Sequence, residues 1–282
     1  MQDTYGRRIK YLRLSVIDSC NLKCCYCSPE SVSMSTRKIM TRREIAYIVA
    51  ICEDLSEIVQ ELCITTNGTL LEDMAGALVK AGVSCVNISL DTLSPEKYRM
   101  ITGCDLHRKV MRGIDAALCA GFRSVKINAV LMKGINDSEI TELVSFAREQ
   151  PLDVRFIEIM PVNVRFWEKV FMQCSEVLKH FPEAEYSGFQ GTAEIYTLPG
   201  AKGRFGLITP VSCKFCSECT RLRLTSDGKF KPCLYTADET SIEAMNESAI
   251  RDAVMKAITQ KPKHRPENFE TSAIRTMTQT GG

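Results

Sequence analysis

The sequence predicts an α/β chain organised around parallel strands, and three observations carry that expectation. Short β-branched runs alternate with helical patterns along the first 160 residues, the habit of parallel folds in which a covering helix follows each strand. The helical patterns stop at glycine or proline, and a new strand-like run begins within a few residues of each stop. The full length of 282 residues is enough to bury one large core and still carry an extension.

Strands are predicted over Tyr11–Ile17, Leu62–Thr66, Ser84–Leu90, Ser124–Leu131 and Asp153–Ile159. Between the first two, Thr41 and Glu44 form a capping box, and Ile45, Ile48, Val49, Cys52 and Leu55 follow at helical spacing. The same spacing runs on through Ile58, Val59 and Leu62, which predicts one long helix over 42–62. Leu70–Ala81 ends at Gly82, Lys109–Ala120 ends at Gly121, and Ser138–Glu149 stops before Pro151. From Pro161 the pattern changes to a helix around Ser175–Phe181, short strands, a hairpin turn at Ser226-Asp227-Gly228 and a helix near Ser248–Thr259. These elements compose a partial TIM-type parallel barrel over residues 1–160, of about five or six strands, with residues 161–282 as a C-terminal extension.

Composition narrows the functional classes. Basic and acidic residues number 36 and 34, a net charge of +2, which gives no broad field for capturing nucleic acid. Any anionic ligand must therefore be held by locally placed cations. No run approaches the ~20 apolar residues of a membrane helix. The polar stretch Met1–Lys10 lacks a signal-peptide core, so a cytoplasmic location is expected, with the 14 cysteines reduced and available to metal.

Cys20, Cys24 and Cys27 have the spacing C-x3-C-x2-C directly after the first strand. Three thiolates in one short segment suit a cubane iron-sulfur cluster and leave one of its irons without a protein ligand, a place for chemistry. A structural zinc knuckle is the bland alternative; no histidine in the segment supplies its fourth ligand. A second group comprises Cys213, Cys216, Cys219 and Cys233, whose spacing suits zinc as well as iron-sulfur. Beside it Arg221 and Arg223 alternate along a predicted strand and share one face, where guanidinium groups could grip phosphate. The remaining cysteines, Cys63 and Cys85 among them, are expected to be small buried apolar residues. Thr65-Thr66-Asn67-Gly68, taken alone, is a strand followed by a turn, because Asn-Gly favours positive φ.

Together these segments resemble the radical S-adenosylmethionine (SAM) enzymes, and within them the GTP 3',8-cyclases, the family of molybdenum-cofactor biosynthesis protein A. The resemblance rests on Leu12-Arg13-Leu14-Ser15 leading to Cys20, Cys24-Cys25-Tyr26-Cys27, Thr65-Thr66-Asn67-Gly68, and Asn87-Ile88-Ser89-Leu90-Asp91. It continues through Lys126-Ile127-Asn128, Arg155 to Pro161, Phe215-Cys216, Cys219 to Leu224, Asp227-Gly228, Cys233 and the terminal Gly281-Gly282. The family's Gly-Gly-Glu-Pro motif and its strand have no counterpart before Thr65.

The resemblance implies two 4Fe-4S clusters and SAM as cofactors. It places the SAM-binding cluster on Cys20, Cys24 and Cys27, and a second cluster facing guanine on Cys216, Cys219 and Cys233. Tyr26, Ser89 and Met160 are then SAM contacts. Arg13, Thr65, Lys126, Arg155, Arg221, Leu222 and Arg223 line the GTP site, with Gly281-Gly282 threaded into it. Implied partners are GTP, a reductant of flavodoxin or ferredoxin type, a downstream cyclic pyranopterin monophosphate synthase and a second copy in a homodimer. Neither nucleic acid nor membrane is implied. Two other classes of function suit the same residues: a catalytically impaired, truncated relative that binds iron-sulfur or nucleotide, and an electron-transfer protein built on the C-x2-C-x2-C run from Cys213.

Overall fold

The computed structural model describes residues 1–17, 19–27, 40–41, 43–44, 46–48, 61–161, 164–213, 216–264, 275 and 277–280. They fall into two compact units. The larger takes in Leu22–Tyr26 and Glu61–Cys213; the smaller draws on Met1–Asn21, Cys27–Gln60 and Lys214–Gly282.

The strands are β1 (Tyr11–Leu14), β2 (Cys63–Thr66), β3 (Cys85–Ser89), β4 (Ser124–Leu131), β5 (Asp153–Glu158), β6 (Glu185–Gln190), β7 (Ala193–Thr197), β8 (Arg204–Ile208), β9 (Arg221–Leu224), β10 (Lys229–Lys231) and β11 (Thr240–Ser241). The larger unit is a seven-stranded sheet in the order β2-β3-β4-β5-β8-β7-β6. Its first five strands run parallel, and β7 and β6 return antiparallel. Among the described residues the sheet has two ends and does not close on itself, the partial barrel that the sequence predicts.

Alternation along these strands sorts the side chains onto two faces. Val86, Ile88, Val125, Ile127, Val154, Phe156, Phe205 and Leu207 are buried in one core. The helices α1 (Leu71–Lys80), α2 (Pro95–Thr102), α3 (His107–Ala120) and α4 (Ile140–Glu149) add Leu71, Tyr98, Val110, Ile114, Leu143 and Val144 to it. Each such side chain stabilises the fold by about 1.5–3 kcal/mol on burial. Helix α2 falls where strand and periodicity arguments place nothing; its local signals are Ser94 accepting from Lys97 N–H, Pro95 in the first turn and Gly103 at φ 69°.

The turn after β2 shows why glycine is needed there. Gly68 has φ 77°, and a Cβ on it would come within 2.9 Å of Ile88. A Cβ on the facing Gly113 of α3 would meet the Gly68 carbonyl at 2.6 Å, so the two glycines let turn and helix close together. Asn67 Oδ1 fixes the turn by accepting from Thr69 N–H at 3.1 Å and from its hydroxyl at 2.9 Å.

The smaller unit has a four-stranded sheet, β1-β9-β10-β11, with β1 and β9 parallel. The first predicted strand thus pairs with β9; the partner is set by long-range register, on which periodicity is silent. Leu12, Leu14, Leu222, Leu224 and Phe230 pack with Ile250, Val254 and Ile258 of α6 (Glu247–Thr259), whose N-cap Asn246 accepts from Ala249 N–H at 2.9 Å. The expected hairpin turn joins β9 to β10, with Gly228 at φ 82° and Thr225 N–H donating to the Lys229 carbonyl at 2.9 Å. The capping box also forms: Thr41 N–H donates to Glu44 Oε2 at 2.7 Å, and Glu44 N–H to Thr41 Oγ1 at 3.2 Å. Most of the long helix predicted over 42–62 lies outside the described residues, while Glu61 and Leu62 are not helical. Helix α5 (Val164–Val170) precedes a 3-10 helix over Cys174–His180, where a helix is expected around Ser175–Phe181.

Candidate functional site

The segment bearing the first three cysteines follows β1. Cys20 is exposed and Cys24 and Cys27 are partly exposed. Lys23 N–H donates to the Thr102 carbonyl at 2.8 Å and Cys25 N–H to the Ile101 carbonyl at 3.0 Å, which fixes the backbone around Cys24 to the end of α2. Tyr26 packs with Cys25, Met132 and Ile159, and its hydroxyl donates to Asp91 Oδ2 at 2.8 Å. Asp91 also accepts from Val130 N–H at 2.8 Å. Burial raises its carboxyl to about 6, against the opposing pull of those two donors. Sequence reasoning gives Asp91 no role, because nothing local marks it as the partner of Tyr26.

The face of the seven-stranded sheet opposite its core is polar. Register sets Thr65, Asn87 and Lys126 in one cross-strand row and Ser89, Asn128 and Arg155 in the next. Asn87 Nδ2 donates to Thr65 Oγ1 at 3.4 Å, and Arg155 donates to Gln190 Oε1 at 2.7 Å. Lys126 is only 6% exposed; burial, then the Arg155 charge, hold its ammonium below the usual lysine range. The buried Asn128 Oδ1 has no hydrogen-bond partner among the described residues. Met160 follows β5, half-buried. A parallel strand covered on both faces reads as a continuous apolar run; these polar rows depart from that pattern and make this face a candidate for ligand binding.

The smaller sheet has a cationic face. Arg13 of β1, Arg223 of β9 and Lys231 of β10 sit side by side in register, and Arg221 lies one step along, 5.8 Å from the Tyr11 ring. Burial first, then repulsion from Arg13 and Arg221, push the Arg223 guanidinium down to about 9. Arg13 is lowered as well, chiefly by burial. Leu222 points to the opposite face and is 3% exposed in the apolar core, so a ligand on the cationic side meets its backbone alone.

Cys216, Cys219 and Cys233, all partly exposed thiols, belong to this same unit. The buried Lys261 ammonium donates to the Cys219 sulfur at 3.4 Å, to the Arg221 carbonyl at 2.8 Å and to the Pro232 carbonyl at 3.1 Å. Burial pushes the Cys219 thiol up, but Lys261 and the Arg221 N–H outweigh it and leave the thiol lowered. Arg7 donates to the Cys216 carbonyl at 2.6 Å and to the Pro262 carbonyl at 2.8 Å. Neither Lys261 nor Arg7 lies in a motif, so neither is legible in sequence. Two thiolates on one tetrahedral zinc lie about 3.8 Å apart; Cys216, Cys219 and Cys233 do not converge within 4.8 Å as a set.

Two contacts lead to the C-terminal residues. Arg275, buried, pairs with Asp227 at 2.9 Å and with Glu239, and Arg223 donates to the Thr280 carbonyl at 2.9 Å. Gly281-Gly282 lies outside the described residues.

Residues 47–147 match the family described as "Radical SAM superfamily", and residues 152–271 the one described as "Molybdenum Cofactor Synthesis C". Among curated relatives, the "GTP 3',8-cyclase" of Peptoclostridium acidaminophilum is 38% identical over 317 residues, spanning 99% of this chain and 98% of that protein. The protein of the same name from Clostridium acetobutylicum is 38% identical over 319 residues, spanning all of both. An alignment of 319 positions against a chain of 282 means that the relative carries residues missing here. Among solved structures, Streptococcus suis SuiB bound to precursor peptide SuiA is similar at TM-score 0.60 and 13% identity, spanning 94% of this chain and 66% of that one. Native anSMEcpe with bound AdoMet is similar at TM-score 0.52 and 16% identity, spanning 89% and 81%. These two likenesses speak for the fold.

Proposed function

This chain belongs to the GTP 3',8-cyclase family of radical SAM enzymes, and we propose that it carries out the family's reaction with the two polar faces described above. The reaction is the radical SAM cyclisation of GTP to (8S)-3',8-cyclo-7,8-dihydroguanosine 5'-triphosphate, the first step of molybdenum cofactor biosynthesis. The observation that carries the assignment of residues is the row Arg13, Arg223 and Lys231 with Arg221 beside it. Three guanidinium groups and an ammonium on one face offer the charge and the bidentate donors that a triphosphate needs.

Cys20, Cys24 and Cys27 hold the cluster that binds SAM, with Tyr26, Ser89 and Met160 against the SAM molecule. The bound cluster and SAM supply a carbon-centred radical after one-electron reduction, chemistry that belongs to the cofactor. Arg13, Arg221 and Arg223 grip the triphosphate, joined by Thr65, Lys126 and Arg155 and by the backbone of Leu222. Cys216, Cys219 and Cys233 hold the second cluster toward the guanine base. Ring closure joins C3' and C8 of one nucleotide, so the chain contributes chiefly by holding that nucleotide in a reactive pose. Residues 1–160 supply the radical SAM part and residues 161–282 the part bearing the second cluster; the two matched families change over between 147 and 152, while β6, β7 and β8 of the second part extend the sheet of the first and β1 pairs with β9. A flavodoxin- or ferredoxin-type reductant, a downstream cyclic pyranopterin monophosphate synthase, a homodimer and a cytoplasmic setting complete the proposal. No helix among the described residues is long and apolar enough to cross a membrane.

The test is anaerobic cluster reconstitution followed by turnover with SAM, GTP and a strong reductant. Cyclised nucleotide and 5'-deoxyadenosine should form together. An inert protein that carries both clusters would leave the family membership standing and remove the activity. Cys233→Ser should lose one cluster's iron and sulfide and keep SAM cleavage; unchanged counts would remove Cys233 from the ligands.

A further inference from the structure

The larger unit holds a sulfur-rich cluster that the proposed reaction leaves unused. β2 and β3 run parallel with Cys63 beside Cys85 in register, so both side chains leave the same face of the sheet. The sulfurs of Cys63 and Cys85 and a carboxylate oxygen of Glu61 all lie within 4.8 Å of one another. The Cys85 thiol donates to Glu61 Oε1 at 2.7 Å. Arg123 pairs with the same oxygen and reaches the Cys85 sulfur at 3.9 Å. Cys85 is 1% exposed, whereas Glu61 opens to solvent, so the cluster has a buried floor and an entrance.

We propose that Glu61, Cys63 and Cys85 form a binding site for one thiophilic divalent cation, with zinc the best match and water in the fourth position. Two thiolates and one carboxylate suit zinc, while magnesium and calcium require oxygen donors. The sulfurs need only close to about 3.8 Å around a tetrahedral ion with Zn–S bonds near 2.3 Å, an adjustment within reach of side-chain rotation. Without an ion, burial first and then the neighbouring Cys85 push the Cys63 thiol up to about 11. Binding replaces the two thiol protons by Zn²⁺ and releases them to solvent, with no change of oxidation state. Arg123 must give up Glu61; its side chain is 68% exposed, so its release to water costs little. The nearby charges of Lys126 and Arg155 favour the Cys63 thiolate.

The ion's work is structural. Among the described residues β2 stands at the end of the seven-stranded sheet, paired with β3 alone. A metal bridge from Cys63 to Cys85 fastens this end strand to β3, and with it Thr65, two residues further along β2.

The experiment uses the full chain, anaerobic and already loaded with iron-sulfur, incubated with zinc chloride and desalted. Metal is counted by elemental analysis, and alkylation of Cys63 is followed by peptide mass spectrometry. The expected result is one zinc per chain with the iron count unchanged, and Cys63 alkylation slowed at least tenfold. Glu61→Gln should weaken zinc by at least the roughly 10–100-fold that outer-shell changes cost, and Cys63→Ser should abolish retention. Glu61 is exposed, so its variant decides the matter even should the Cys63 variant fail to fold. Zinc retained equally by both variants, zinc gained only as iron is lost, or no zinc retained would each overturn the site.

Discussion

The two sheets use alternation to opposite electrostatic ends. In the seven-stranded sheet the polar face mixes Thr65, Asn87, Ser89 and Asn128 with two cations, Lys126 and Arg155. In the four-stranded sheet three arginines and a lysine share one face across three strands, and Arg223 is driven down to about 9 by burial and its neighbours. The first face can orient a ligand through neutral hydrogen bonds at small cost to the empty fold. The second gathers its charge in one place, the arrangement that a polyanion such as a triphosphate needs.

That contrast is broken most easily at Arg223. Arg223→Ala should weaken GTP binding by about 2–5 kcal/mol, the cost of truncating one member of a buried charged contact. Lys126→Ala should cost GTP affinity less, about tenfold, because its row supplies neutral partners as well. Equal losses by titration calorimetry would erase the distinction.

Arg275 tests the same sheet from its opposite charges. Arg275→Ala leaves Asp227 without its arginine and Glu239 with only the longer contact to Lys229, 3.5 Å, and should destabilise the protein by about 3 kcal/mol, read by urea denaturation. Both carboxyls are held below their usual range against the push of burial, chiefly by hydrogen bonding to Arg275. Their stabilising contribution is therefore full above the normal carboxylate range and is lost as pH falls through their lowered folded values.

Asp91 in the larger unit carries the opposite sign. Its carboxyl is raised from 3.8 to about 6 by burial, so its favourable contribution is full below about pH 4 and is lost as pH rises through about 6. Asp91→Asn should remove a slope worth on the order of 2–3 kcal/mol between those limits. A wild-type stability profile with the same slope as the variant would show that the buried carboxyl is already compensated. The smallest expected effect is Thr41→Ala at the capping box, about 1 kcal/mol, measured by thermal melting.

Much of this was legible before any coordinates. β4 occupies Ser124–Leu131, the predicted span, because a β-branched run between a helix-ending glycine and a loop has few alternatives. Arg221 and Arg223 were legible because they alternate on a single strand. The pairing of β1 with β9 was not, since it brings together residues more than two hundred positions apart, and Arg13 joins the cationic row only through it. Lys261 and Arg7 act on Cys219 and Cys216 from distant segments and leave no local pattern. Cys63 and Cys85 are expected to be apolar fillers, which suits the burial of Cys85; what sequence lacks is the parallel register that sets the two sulfurs together with Glu61.

The central claim is that the chain holds SAM and GTP so that the radical acts on the ribose of the same bound nucleotide that then closes on itself. Anaerobic turnover of GTP carrying deuterium at C3' tests it most directly, with 5'-deoxyadenosine analysed by mass spectrometry. One deuterium is expected in the 5'-deoxyadenosine formed with each cyclised nucleotide. Release of unlabelled 5'-deoxyadenosine, at a rate indifferent to GTP, would contradict it.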